Sequence, residues 1–184
     1  MRRRTQFSVA TLGAVLVLAG AAYAQDSDFS LNVHANGHAT AKEIGLPVYP
    51  GATPYKEKDS DSSAANLGFA LNSFHFSLQV ASYETSDSAE QVLAFYRRPL
   101  AKYGEVLECV HGQAVGNLTV TSSGLTCSSQ HGGHVEVNGS GDADHELRAG
   151  SPQRFRIVGI DTTQDGKTKF GLVSLELPKD ADSK

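Results

Sequence analysis

The change of hydrophobic period at Ser86-Asp87 constrains this chain more than any other feature. Before it, Phe74, Phe76, Leu78 and Val80 alternate with His75, Ser77 and Gln79, which reads as a strand over Phe74 to Glu84. After it, Val92, Tyr96, Leu100 and Tyr103 recur at helical spacing, with Leu93 and Phe95 widening the stripe over Ser88 to Tyr103. A strand running straight into an amphipathic helix calls for a sheet and a helix that bury their apolar sides together. Asp87 as N-cap with Glu90 reads as a capping box, and Gly104 is placed to end the helix in a left-handed conformation. Pro99 lies inside this span, where a missing N–H predicts a bend near Phe95 to Arg98.

Other segments read as strands and turns. Asp28 to Ala35 alternates Phe29, Leu31 and Val33 with polar residues, and Pro50-Gly51 suits the centre of a type II turn. Lys56 to Ala65 is a polar, solvated loop. Glu105 to Val110, Leu118 to Thr121, Val135 to Val137, Glu146 to Ala149, Gln153 to Ile160 and Lys169 to Leu177 are short β-rich runs, with Asp165-Gly166 as a hairpin signal. The expected fold is α+β: one mainly antiparallel sheet covered on one face by a single long, Pro-kinked helix. Residues 1–24 form a leader, 25–43 an N-terminal strand and linker, 44–178 one domain, and 179–184 a polar tail.

The leader reading rests on Arg2-Arg3-Arg4, an apolar run from Val9 to Ala22, and the small residues of Ala22-Tyr23-Ala24. That is the tripartite pattern of a secretory signal cleaved near Ala24, and the run is short for a membrane span of about 20 residues. Ala21 stands where a lipidated cysteine would be needed, so no stable membrane anchor is expected. Removing the three leader arginines leaves 13 Lys plus Arg against 20 Asp plus Glu. Such a balance argues against nucleic acid, whose phosphates require clustered cations. The expected location is secreted or periplasmic.

In an oxidising compartment Cys109 and Cys127, the only cysteines, are expected to pair across a loop worth roughly 3 kcal/mol; two buried free thiols are the alternative. His111, His131 and His134 lie near them, so a metal site built from these histidines and one or both thiolates is a second reading. No standard ligand spacing is met, and the same sulfurs cannot serve both purposes. His34 and His38, four apart, fall on strand and loop rather than on one helix face. Asp142, Asp144 and Glu146 lack the spacing of a calcium loop. Gly139-Ser140-Gly141 lacks a nucleophile elbow, and no phosphate-binding glycine loop is present. Phe95, Tyr96 and Tyr103 read as core rather than as pocket lining.

As a set, Leu46-Pro47-Val48-Tyr49-Pro50-Gly51-Ala52, the Phe95-Tyr96…Leu100…Tyr103-Gly104 helix, Leu125-Thr126-Cys127 and Glu146-Leu147-Arg148-Ala149-Gly150 resemble a group of uncharacterised secreted bacterial proteins. The resemblance spans about residues 44–177 and implies a fold and an exported location. It assigns no catalytic residue and no cofactor, and Pro99 departs from its uninterrupted helix. The functional expectation is an exported, non-catalytic domain binding an envelope protein or a small ligand. A periplasmic metal-binding protein using the 109–134 region and a small secreted hydrolase are the alternatives.

Overall fold

The computed structural model describes residues 32–36, 39–56, 62–71, 74–127, 144–161 and 165–177. In chain order the elements are β1 (Asn32–Asn36), α1 (Ala41–Ile44), β2 (Thr53–Pro54), β3 (Ala64–Leu71), β4 (Phe74–Thr85), α2 (Ala89–Leu100), β5 (Leu107–Val110), β6 (Gln113–Ala114), β7 (His145–Ser151), β8 (Arg154–Asp161) and β9 (Thr168–Glu176). All nine strands join one antiparallel sheet in the order β1-β3-β4-β9-β8-β7-β5-β6, with β2 pairing to β4 beside this path. The leader 1–24, the tail 179–184 and the expected strand Val135 to Val137 lie outside the described residues. No helix among the described residues is long and apolar enough to cross a membrane.

The expected cover, a single long Pro-kinked helix, is overturned. The structure is mostly antiparallel sheet, and two short helices share one face of it. The shortening comes at the turn that follows Pro99. The missing N–H of Pro99 removes the bond back to Phe95 O, yet α2 runs through it to Leu100, with Ala101 N still donating to Arg97 O at 3.0 Å. Lys102 N then donates to Pro99 O and Tyr103 N to Leu100 O in a tightened last turn that ends the helix at 12 residues. The C-cap is Ala101 in a right-handed conformation, not Gly104. The N-cap is Ser88, not Asp87: Gln91 N donates to Ser88 Oγ, and Ser88 N donates back to Gln91 Oε1 at 2.9 Å. Asp87 instead accepts the Tyr49 hydroxyl at 2.8 Å.

Helix α1 has the sequence signal of a capping box that was not read as one. Thr40 and Glu43 satisfy each other's backbone N–H groups, and Gly45 then closes the helix at φ 83°. Ala41 and Ile44 enter the core, so the expected strand-and-linker segment supplies both an edge strand and a helical turn. The Pro50-Gly51 turn is present, with Ala52 N donating to Tyr49 O at 3.0 Å. Leu118 to Thr121 is not a strand; it leads into a turn in which Thr121 N donates to Leu125 O.

The sheet's apolar side changes face along its length. Nearer the helices, Ala81, Leu172, Val158 and Leu147 form one cross-strand rung, and Tyr83, Phe170 and Ile160 form the next. All seven are at most 8% exposed and belong to the core beneath α1 and α2. One residue further along each central strand the apolar positions point the other way. Ala65, Val80, Val173 and Ile157 share one rung of the helix-free face, and Leu67, Leu78, Leu175 and Phe155 share the next. The switch falls on the same rung in three strands, where Val80-Ala81, Leu172-Val173 and Ile157-Val158 place two apolar residues side by side. The Phe76, Leu78, Val80 stripe of β4 therefore faces away from α2, and Ala81, Tyr83 and Thr85 carry the contact with the core.

Beneath the helices, Tyr96 is fully buried, and its hydroxyl donates to Pro47 O at 2.9 Å. Tyr49, Phe95 and Tyr96 meet edge to face at centroid separations of 5.1 and 4.9 Å, while Tyr83 stacks on Phe170 at 5.7 Å. Phe95 and Tyr96 are packing residues, as read from the sequence. Tyr103 is not: it is 37% exposed, donates to Gly45 O at 2.6 Å and lies under the Arg156 guanidinium. Arg156 Nε also donates to Ile44 O at 2.7 Å, so one side chain of β8 ties down the end of α1.

At Gly150, φ is +128°, and an added Cβ would run into Arg154 O and the Phe155 Cα. The obstacle is backbone of the paired strand and cannot rotate away. Gly150→Ala is expected to lower unfolding free energy by at least about 2 kcal/mol, read as a reduced urea midpoint.

Candidate functional site

The capping box of α1 and the Tyr49–Ala52 turn hold the chain away from β4 and leave a groove between them. Its cavity is about 540 Å³, bounded by α1, Val48, the end of β2, residues Ser62 to Ala64 and the Ala81–Tyr83 stretch of β4. This size lies within the range of small-molecule sites. The floor is apolar: Ala39, Ala41, Ala81 and Tyr83 are buried, and Val48 at the mouth is 45% exposed. Backbone hydrogen bonds make that floor rigid, with Tyr55 N donating to Ser82 O at 2.9 Å and Ser82 N to Ser63 O at 2.8 Å. Burial pushes the Tyr83 phenol above its ordinary pKa, so it stays protonated at neutral pH.

Lys42 and Lys56 are exposed on the groove's lining, and no acidic side chain is among the described lining residues. The arrangement offers an apolar bed with lysine side chains on its lining. Periodicity could not reveal it, because its residues come from several short stretches between Ala39 and Tyr83.

A second polar cluster ties α2 to the far end of the sheet. Glu108 on β5 accepts from Arg97 Nη2 at 2.5 Å and meets His145 Nε2 at 2.6 Å. Burial works to raise the Glu108 pKa, but the hydrogen bonds and charges of Arg97 and His145 outweigh it and hold the carboxyl below its ordinary range. Nearby, Arg148 Nε donates to Glu146 Oε1 at 2.8 Å, and its Nη1 donates to Thr126 O at 3.2 Å. Each of these ionic groups is engaged with another, as in a structural tie.

Cys109 and Cys127 form a disulfide with an S–S distance of 2.01 Å and Cα atoms 5.7 Å apart. It is enclosed with Leu107 in a small apolar cluster that includes Ala114 and Leu118. The sulfurs are thus committed to each other and cannot act as thiolate ligands. His111 is exposed at a turn with φ 47°, its Nδ1 3.5 Å from Asp144 Oδ1. His131, His134 and Asp142 lie outside the described residues, as do His38 and Gly139-Ser140-Gly141. His34 lies on β1, paired in register with Gly68. Among the described residues no three of His, Cys, Asp and Glu gather into a metal-ligand group.

Two outcomes follow for these ties. Because the Glu108 pKa is lowered on folding, its contribution is present above the unfolded value of about 4.3 and is lost as pH falls through the folded value. The stability gap between wild type and Glu108→Gln, measured by urea unfolding at pH 3 to 7, should therefore narrow below about pH 4.3. The paired replacement Cys109→Ala with Cys127→Ala should cost about 3 kcal/mol in the same assay.

Compared with known proteins, the chain matches no protein-family model, no curated protein and no solved structure.

Proposed function

We propose that this protein is an exported, non-catalytic domain that holds a small anionic amphiphile in the groove beside α1. The groove itself carries the reading, since it joins an apolar floor to Lys42 and Lys56, with no acidic side chain among the described lining residues. A ligand with an acyl or aryl body and one carboxylate, sulfate or phosphate head matches that chemistry. The body would replace water on Ala39, Ala41 and Tyr83, while the head would stay near the ammonium groups.

Export is part of the proposal. The arginine-led leader of the sequence supports it, and the Cys109–Cys127 disulfide is compatible with an oxidising compartment. The engaged state of Glu108, His145, Arg97, Glu146 and Arg148 supports a scaffold role for the charged groups in preference to a catalytic one.

Isothermal titration with matched amphiphiles tests the idea. Decanoate should bind, and decyltrimethylammonium, with the same tail and opposite head charge, should not. Lys42→Glu and Lys56→Glu should each weaken decanoate binding about five- to tenfold, on the order of 1 kcal/mol for one charge near a surface site. Equal binding of both amphiphiles, or binding of neither, would refute the reading.

A further inference from the structure

We propose that Arg156 and Tyr103 are positioning residues for the groove: from outside its lining they fix α1 and the turn after it, and so set the wall that a ligand meets. This role rests on the ligand reading of the groove, but one of its readouts needs no ligand. Neither residue is among the described lining residues. Between them they hold the carbonyls of Ile44 and Gly45, which stand in the chain between Lys42 and Val48, both on the lining.

A wall made of α1 needs such ties. Its four residues are barely one turn, too few to persist alone. Ile44 and Leu46 are buried and press the segment onto the sheet, but apolar burial is non-directional and leaves its rotation unset. Direction comes from the carbonyls at the helix end, which lack partners within the helix. Arg156 Nε donates to Ile44 O at 2.7 Å, and the Tyr103 hydroxyl donates to Gly45 O at 2.6 Å. The two donors brace each other, since the Arg156 guanidinium carbon lies 5.0 Å from the centroid of the Tyr103 ring. Arg156 is itself held: Nη1 donates to Phe155 O at 3.3 Å, Nη2 lies 3.9 Å from Glu176 Oε1, and the side chain is only 11% exposed. Gly45 completes the arrangement. A Cβ there would run into the Tyr103 hydroxyl, so the tie requires glycine as much as φ 83° does.

Two charge-preserving substitutions test the role. Tyr103→Phe keeps the ring and removes only the hydroxyl donor. Arg156→Lys keeps the cation but loses Nε and the planar stack, which lysine does not reproduce. Combined in the disulfide-closed protein, they should leave the wall formed in only about a third to a tenth of molecules, raising the decanoate Kd about three- to tenfold in isothermal titration. The same fraction sets the ligand-free readout: the helical Cα chemical shifts of Ala41 to Ile44, followed by NMR, should fall toward coil values in proportion, while those of β4, β8 and β9 stay in place. Should the double variant fail to fold by circular dichroism, each single variant carries the test with a smaller effect of about twofold. Glu108→Gln, far from the groove, should lower the urea midpoint and leave decanoate affinity unchanged. Unmoved α1 shifts, an affinity that holds where those shifts have fallen, or an equal loss of affinity in Glu108→Gln would each overturn the proposal. If the wild type binds no decanoate, the ligand reading falls, and the α1 shifts alone uphold or overturn the positioning of the wall.

Discussion

The pairing of Val80 with Val173, and of Val173 with Ile157, is the constraint on which the rest of this fold depends. In an ordinary half-buried sheet, a one-residue slip turns one apolar face outward. Here each central strand changes its apolar side between neighbouring residues, so the three changes must coincide. Sliding β9 by one position against β4 would move Leu172 out of the core and swing Val173 into it, while also breaking the stripe on the opposite face. Register is thus specified twice, once from each side of the sheet.

What holds the helix side together is a set of long-range polar ties laid over apolar packing. Tyr96, Tyr103 and Arg156 each reach a backbone carbonyl between Ile44 and Pro47, so the turn after α1 is fixed from both the helix and the sheet. These carbonyls lie at or just beyond the end of a four-residue helix that could not persist alone. The groove depends on this arrangement, since its wall is the same short segment. At the other end of the sheet the disulfide plays a comparable part, packing the Leu118–Cys127 region against β5.

Much of the sheet was legible from alternation, because strands such as β4, β8 and β9 carry their own pattern. The pairing of the two cysteines was legible too, since only one partner existed for each. The length of the helix cover was not. The apolar stripe from Val92 to Tyr103 continues past Leu100, but the backbone tightens there into a turn in which Tyr103 N donates to Leu100 O, and periodicity does not register that change. Helix α1 was missed because four residues are too few for periodicity, although Thr40 and Glu43 spelled out its start. The reversal of faces also left a mark in adjacent apolar pairs such as Ile157-Val158, but only cross-strand register shows that three such pairs line up. The groove left no mark at all, because its lining is gathered from short stretches spread between Ala39 and Tyr83.

The strand order carries a consequence for the protein's birth. Strand β9, the last in the described chain, sits between β4 and β8 at the centre of the sheet. Until it has been made, the first half of the sheet has no neighbour to join it to the second, and the rungs that carry the core remain open. Local pairs such as β3 with β4 and β7 with β8 can form first, but the rungs that join the two halves of the sheet close only around this final strand.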